Sequence, residues 1–294
     1  MDEFGPGLAA LLGLLEGMTE FLPVSSTGHL ILLGHLVGFT GEMAVTVKIC
    51  IQIGAVLAVV VHERKKIKTL LSQAYQQQRD LLQSRPSHGS PSVLLPWTAR
   101  LKVSAGKHHH LWFIIGLGAA FLPAAVVGLL AHDWIETHLF SPKVVAVSLI
   151  VGGIIIFIVE TWPKVIRIST LETIPIRSAI GVGIAQCVAF IPGMSRSGST
   201  IVGGLLLGLD RKIATEYSFF LALPTMIAAT GYKLFESKHL FTADDAIALL
   251  IGMVVSFLVA WVVIASLLAY VKRHTLKVFA YYRISLGLIL LAVL

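Results

Sequence analysis

Long apolar runs separated by short polar segments dominate the 294-residue chain. A helix needs roughly 20 apolar residues to cross the hydrocarbon core of a bilayer, because each residue advances it by about 1.5 Å. Six runs approach or exceed this length and predict membrane-spanning helices: residues 44–62, 111–131, 143–160, 214–236, 243–270 and 277–294. The pattern therefore predicts an all-α polytopic membrane protein, with residues 1–294 forming a single integral membrane domain.

Two further apolar regions, residues 8–38 and 178–210, are interrupted by Gly, Pro and clusters of polar residues. Each interruption leaves two pieces that are too short to cross a bilayer. Irregular backbone at membrane depth is tolerated only where it is buried in protein or lines a cavity. We therefore predict two re-entrant helix-loop-helix hairpins whose turns lie inside the membrane.

The two interrupted regions resemble each other: "GLLEGMTEFLPVSSTGHLILLG" aligns with "GIAQCVAFIPGMSRSGSTIVGG". The alignment places Phe21, Pro23 and Ser26 on Phe190, Pro192 and Ser195. Each half of the chain, residues 7–160 and 178–294, would then hold one hairpin and three spans. Because three is odd, the second half enters from the opposite face, which makes the two halves an inverted repeat.

The distribution of charge gives the orientation. The chain has a net charge of +7, but only 13% of its residues are charged and 56% are hydrophobic. Seventeen of the 23 Lys and Arg residues lie in four segments: residues 63–110, 161–177, 209–213 and 271–277. The positive-inside rule makes these segments cytoplasmic and both termini external, and it explains the basic charge without a nucleic-acid partner.

Ionisable and hydroxyl side chains are concentrated in "EGMTEFLPVSSTGH", residues 16–29. Glu16 and Glu20 are four residues apart and share one helix face, and Ser26 and His29, three apart, share another. An ionisable group inside a bilayer costs about 3 kcal/mol on insertion scales, so this concentration indicates a function.

The turn of each hairpin is predicted to begin a helix. Pro23 breaks the first half-helix, and Ser25 or Ser26 can cap the second. In "PGMSRSGST" of the second hairpin, Ser197 or Ser199 is the candidate cap. Free N–H groups and the helix dipole at such N-termini favour an anion.

Arg196 adds a cation to the second turn, and an arginine forks onto phosphate oxygens, so the two turns predict a phosphate site. Each element alone also has a structural interpretation, since capping serines and paired arginines occur without a ligand. We interpret Arg283 in this way, as a residue that snorkels to the interface or pairs helices. The combination of carboxylates, Ser26, His29 and Arg196 at matching places in a repeat favours a site.

Both motifs resemble the signature motifs of the bacterial undecaprenyl-diphosphate phosphatases of the bacitracin-resistance type. The stretches "IQIGAVLAVV", "LGLDRKIATEYSFFLALP" and "AYYRISLG" resemble the same family, and the departure is a long polar segment from Leu71 to Lys107. The resemblance implies hydrolysis of undecaprenyl diphosphate, the lipid carrier of peptidoglycan synthesis, to undecaprenyl phosphate and phosphate, giving bacitracin resistance. It also implies the bacterial inner membrane, and the entry side of the first hairpin favours a site open to the periplasm.

Under this resemblance the chemistry is divided among a few side chains. Glu16 and Glu20 would hold a divalent cation, Mg²⁺ or Ca²⁺, and Arg196 would clamp the phosphates. Ser26 is the candidate nucleophile and His29 its base or the acid for the leaving group, while attack by His29 or by water stays open. The candidate hydrogen-bond donors to phosphate are Ser25, Thr27, Ser195, Ser197 and Thr200.

An inverted repeat with broken helices is also the architecture of secondary transporters. Transport or flipping of an anionic lipid or a small anion is therefore the alternative function, although it explains the Glu pair beside Ser26 and His29 less well. The expected partners are a polyprenyl diphosphate and membrane lipid, and the sequence leaves a homodimer open.

Overall fold

The computed structural model describes residues 4–83, 104, 106–163, 165–236 and 243–294. Helices are the regular elements of this part of the chain: α1 Pro6–Thr19, α2 Ser26–Leu36, α3 Glu42–His62, α4 Arg64–Gln83, α5 His109–Leu139, α6 Pro142–Thr161, α7 Ile176–Gln186, α8 Arg196–Leu206, α9 Arg211–Glu236, α10 Ala243–Val271 and α11 Lys277–Val293. Short 3-10 helices lie at Leu171–Thr173 and Cys187–Phe190.

Within the described residues, five helices are long and apolar enough to cross a membrane: Met43–His62, His109–Ala131, Pro142–Thr161, Arg211–Phe235 and Ala246–Val271. They coincide with the first five predicted spans. The sixth predicted span is also helical, but α11 has 17 residues and is shorter than the others. The chain is thus an all-α, multi-pass membrane protein, as its composition requires.

Each interrupted region forms two short helices joined by a turn, which we call the first helix pair (α1 and α2) and the second helix pair (α7 and α8). Pro6 begins α1, where a missing N–H costs nothing, and Pro23 lies in the turn after it. Both α2 and α8 have 11 residues, about 16 Å of helix and half a bilayer.

The first helix of each pair packs on a long helix from the other half of the chain. Helix α1 lies against α10, and α7 lies against α5. At each contact a glycine allows close approach of the backbones: a Cβ on Gly13 would collide with the Gly252 carbonyl, and one on Gly183 with the Ala120 carbonyl. Gly13 and Gly183 are 170 residues apart and begin the two similar stretches quoted above. The two close contacts therefore correspond in sequence as well as in packing.

The basic segment 63–110 begins with helix α4, which the pattern of apolar runs did not predict. Helix α4 is amphipathic and buries Leu70 and Ala74 while its charged side chains face outward. Its Gln77 Oε1 accepts a hydrogen bond from the Leu111 backbone N–H at 3.0 Å, which joins it to α5. Residues 84–103 and 105, which include most of the unusual polar segment, lie outside the described residues.

Charged side chains bring together the ends of the four basic segments. Arg211 donates to both carboxylate oxygens of Glu160, at 2.9 and 2.8 Å, and Glu160 also accepts from the Leu276 N–H. Lys66 donates to Glu216 at 2.8 Å. Burial alone would lower the pKa of Lys66, but its hydrogen bonds and charge interactions with Glu216 and Glu63 together outweigh burial, and the pKa is raised. The basic segments therefore share one face of the molecule, which we call the charged face.

Candidate active site

A serine caps the second helix of each pair. Ser25 Oγ accepts from the Gly28 N–H at 3.3 Å, and Ser195 Oγ accepts from the Gly198 N–H at 3.1 Å. Both serines have positive φ, 74° and 72°, a conformation that costs a residue other than glycine about 1–3 kcal/mol. The same strained cap at both turns indicates that the surrounding packing imposes it.

The caps correct two details of the sequence interpretation. Ser25 was one of the two candidates for the first cap, but the expected second cap, Ser197 or Ser199, is wrong. A cap must precede the first helical residue, and α8 begins at Arg196, so Ser195 fills that position. The aligned register is also off by one residue, since Ser25 rather than Ser26 corresponds to Ser195. Ser26 then corresponds to Arg196, and each begins its helix.

The two turns meet through a chain of three polar side chains. Ser26 Oγ donates a hydrogen bond to Glu20 Oε2, and Arg196 Nη2 donates to Glu20 Oε1 at 3.1 Å. Arg196 Nη1 also donates to the Ser218 carbonyl at 2.9 Å, which fixes the guanidinium against α9. Glu20 is buried, so its pairing with a cation offsets the cost of removing the carboxylate from water.

Two adjoining cavities meet at Ser26. The smaller, about 160 Å³, is lined by Glu20, Ser26 and Arg196 together with the predicted phosphate donors Ser25, Thr27 and Ser195. The larger, about 440 Å³, has a mostly apolar lining and shares Ser26 and Thr27 with the smaller one. Ser26 therefore lines both a small cavity rich in polar side chains and a larger, mostly apolar one, an arrangement that suits a molecule with an anionic head and an apolar tail.

Glu16 lines the larger cavity and is only 1% exposed. Its Oε1 is buried without a hydrogen-bond partner, which is costly for a carboxylate oxygen. An oxygen of this kind fits a hard divalent cation. Among the residues that the structure describes, no three His, Cys, Asp or Glu side chains form a metal-binding group. A cation at Glu16 and Glu20 would need oxygens of substrate or water to complete its coordination, as Mg²⁺ commonly does.

His29 lies beside these cavities but lines neither of them. Its Nδ1 is 2.7 Å from the Ser25 carbonyl oxygen, and its Nε2 is 2.7 Å from the Tyr282 hydroxyl. Both ring nitrogens are thus engaged by the protein. Tyr282 is not among the predicted site residues, because its contact with His29 joins positions 253 residues apart.

Two of the predicted phosphate donors, Ser197 and Thr200, form hydrogen bonds within the protein. Ser197 Oγ donates to the Leu22 carbonyl at 2.8 Å and so joins the two turns. Thr200 Oγ1 donates to the Arg196 carbonyl at 2.9 Å and lies 2.6 Å from the Ser218 hydroxyl. Both side chains are buried, and neither lines the smaller cavity.

Arg283 is completely buried, so the interpretation that it snorkels to the interface is wrong. Helix α11 packs on α6 and carries the Arg283 guanidinium to the point where the two turns meet. It donates to five backbone carbonyls: those of Pro23, Gly193, Met194, Ser148 and Leu149. Irregular turns leave carbonyls without helical partners, and a buried donor with a fork of N–H groups satisfies them. Arg283 therefore ties both turns to α6.

Known proteins match this chain over almost its entire length. Residues 9–289 match the family model described as bacitracin resistance protein BacA. A protein of Sphingopyxis alaskensis named undecaprenyl-diphosphatase is 44% identical over 277 residues, covering 94% of this chain and 93% of that protein. Proteins with the same name from Acinetobacter baumannii and Thermoanaerobacter pseudethanolicus are each 43% identical, over 291 and 284 residues. The alignment with the Acinetobacter protein covers 99% of this chain and 96% of that protein. The alignment with the Thermoanaerobacter protein covers 96% of this chain and 94% of that protein. The chain belongs to the bacitracin resistance protein BacA family.

Proposed function

We propose that this chain hydrolyses undecaprenyl diphosphate to undecaprenyl phosphate and inorganic phosphate. The observation that carries the proposal is the chain of Ser26, Glu20 and Arg196, which lies where a small cavity rich in polar side chains adjoins a larger apolar one. Relatives with 43–44% identity over nearly the full length have the name undecaprenyl-diphosphatase. The reaction returns the lipid carrier to peptidoglycan synthesis and gives bacitracin resistance.

Ser26 is the nucleophile in this proposal. Its Oγ attacks the terminal phosphorus, the bond from that phosphorus to the bridging oxygen breaks, and undecaprenyl phosphate leaves. The Ser26 proton passes to Glu20, whose Oε2 already accepts the hydroxyl hydrogen bond. Water then attacks the phosphoserine and the bond from phosphorus to Ser26 Oγ breaks. Glu20 returns its proton to Ser26 Oγ, and inorganic phosphate leaves with both protons of the water, which restores Ser26 and the Glu20 carboxylate. Glu20, which bonds to Ser26 directly, replaces His29 as the base.

Binding of the phosphates relies on the two turns. Arg196 has a pre-organised fork of donors for phosphate oxygens and keeps it in place through Glu20 and Ser218. The N-termini of α2 and α8 add N–H groups and favourable dipoles, and Ser25, Thr27 and Ser195 line the same cavity. Charge that grows on the transferred phosphoryl group is stabilised by these fixed donors.

Glu16 and Glu20 are proposed to hold a divalent cation, Mg²⁺ or Ca²⁺. The unpartnered oxygen of Glu16 supports this assignment, and Glu20 retains acceptor capacity beyond its bonds to Ser26 and Arg196. When bound, such an ion neutralises charge on the diphosphate oxygens.

We further propose that six helices cross the membrane, that the helix pairs re-enter it from opposite faces, and that the halves form an inverted repeat. In both helix pairs the first helix packs on a long helix of the other half, α1 on α10 and α7 on α5, and this equivalence supports the repeat. The shared charged face, with most of the Lys and Arg residues, supports a cytoplasmic location for that face in the bacterial inner membrane. The first pair then opens toward the periplasm.

Transport or flipping of an anionic lipid remains the second candidate, and the packing of broken helices is the observation that favours it. The two functions differ in their products. A phosphatase in detergent, with no second compartment, releases phosphate from undecaprenyl diphosphate, and a transporter does not.

The test is phosphate release by the purified full-length protein in detergent. We expect the wild type to release one phosphate per lipid and Ser26→Ala to lose about a thousandfold or more in kcat. Ser266→Ala is the matched control, because this exposed serine of α10 bonds only within its own helix, to the Val262 carbonyl. Absence of release by the wild type, or full activity of Ser26→Ala, would contradict the proposal.

A further inference from the structure

Gln186 ends α7, the first helix of the second pair, and its side chain lines the smaller cavity. The same cavity is lined by Glu20, Ser26 and Arg196. Gln186 is only 2% exposed, and among the described residues nothing donates a hydrogen bond to its buried Oε1. An amide oxygen that stays unsatisfied in a protein interior is costly, so this oxygen indicates a ligand from outside the chain.

The orientation of the Gln186 amide is fixed by a threonine of α9. Gln186 Nε2 donates to Thr225 Oγ1 at 3.2 Å. Thr225 Oγ1 donates its one proton to the Leu221 carbonyl at 2.8 Å, so toward Gln186 it can only accept. The NH₂ group of the amide therefore faces Thr225, and Oε1 keeps its capacity to accept a hydrogen bond from a ligand.

Gln186 has a counterpart in the first helix pair. The equivalent caps Ser25 and Ser195 are 170 residues apart, and the same interval places Gln186 on Glu16. In the described part of the chain, Oε1 of Glu16 is also buried without a partner. The two oxygens differ in charge and surroundings, because Glu16 lines the larger cavity and Gln186 the smaller one. The neutral amide oxygen suits a polar hydrogen rather than a shared cation.

The smaller cavity has room for a water molecule beside the reacting group. Its volume of about 160 Å³ is far larger than the roughly 10–15 Å³ that one water needs. The second step of the proposed reaction consumes a water, which must approach phosphorus from the side opposite Ser26 Oγ. Ser26 and Gln186 line this cavity from different helix pairs, so a water held by Gln186 can approach from that side.

We propose that Gln186 positions the water that hydrolyses the phosphoserine, an inference that rests on the proposed function. Gln186 Oε1 accepts one hydrogen of the water, which turns a lone pair of the water oxygen toward phosphorus. The new oxygen–phosphorus bond forms as the bond from phosphorus to Ser26 Oγ breaks, and Glu20 returns its proton to Oγ. The Gln186 amide orients the water and neither gains nor loses a proton.

The experiment measures the two steps separately in the purified full-length protein. Undecaprenyl diphosphate with ³²P in its terminal phosphate is added, then chased with unlabelled lipid, and samples are quenched in acid at successive times. We expect Gln186→Met, which has a side chain of similar length without the amide oxygen, to form phosphoserine at the wild-type rate and to lose it about tenfold more slowly. Gln76→Met is the matched control, since Gln76 is exposed in α4 and lines neither cavity. Thr225→Val removes the hydroxyl that fixes the amide and should slow the same step, which keeps the test decisive if Gln186→Met does not fold.

The outcomes separate this inference from the function on which it rests. Slower loss of phosphoserine with unchanged formation supports the role of Gln186. Loss at the rate of Gln76→Met, or equal slowing of both steps, overturns that role and leaves the phosphatase proposal standing. A higher Mg²⁺ concentration for half-maximal activity in Gln186→Met would assign Oε1 to the cation and also overturn it. A wild type that releases no phosphate overturns the proposed function and this inference with it.

Discussion

Replacing Arg283 by lysine tests the role of this residue at the meeting point of the two turns. Arg283 donates to five carbonyls, two through Nη1, two through Nη2 and one through Nε. A lysine keeps the charge but has three donors, so at least two of these bonds are lost. A hydrogen bond to a charged group contributes about 1.5–3 kcal/mol, so Arg283→Lys should lower the free energy of unfolding by about 3–6 kcal/mol.

Thermal unfolding of the purified protein in detergent measures this effect. A fluorogenic thiol reagent reports unfolding, because Cys50 is buried and Cys187 is partly buried, and both are free. We expect Arg283→Lys to unfold at least about 5 °C below the wild type. Arg273→Lys is the matched control, since Arg273 is exposed in the link between α10 and α11. An unchanged unfolding temperature for Arg283→Lys would refute the argument that Arg283 holds the turns together.

Three further predictions concern the cation, the packing of the helix pairs and the orientation. Glu16→Gln should raise the Mg²⁺ concentration needed for half-maximal activity by about tenfold, measured by metal titration after chelation, and an unchanged value would exclude Glu16 as a ligand. Gly183→Ala should lower the unfolding temperature, because its Cβ meets the Ala120 carbonyl, whereas Gly118→Ala, with open space around it, should not. In intact cells a membrane-impermeant thiol reagent should label His138→Cys and leave Ser72→Cys unlabelled, and the reverse pattern would invert the topology.

The hydrophobic pattern was sufficient to predict most of the helices. A run of about 20 apolar residues in a membrane protein has few structures available other than a spanning helix. Pro23 and Gly193 interrupt the backbone geometry that a continuous helix needs, so the two broken regions were also predictable. Helix α4 was missed because its many polar residues resemble a loop, and its helicity depends on packing Leu70 and Ala74 against α5.

The site was predicted less completely, for a physical reason. The two motifs are rich in ionisable and hydroxyl side chains, which makes Ser26, Glu20 and Arg196 candidates. The structure brings these three residues into contact. Arg283 and Tyr282 lie in the stretch "AYYRISLG", which resembles the family but contains no cluster of catalytic residue types, and their partners are more than 80 residues away along the chain. Pairwise contacts of that kind leave no local pattern, so a single sequence cannot predict them.

Trapping the reaction intermediate tests the central claim most directly. The wild type is mixed with undecaprenyl diphosphate that has ³²P in its terminal phosphate, quenched in acid and digested for phosphopeptide mapping. The account predicts an acid-stable phosphoserine at Ser26, absent from Ser26→Ala. An acid-labile phosphohistidine at His29, or no phosphoenzyme together with inversion at a chiral terminal phosphorus, would contradict it.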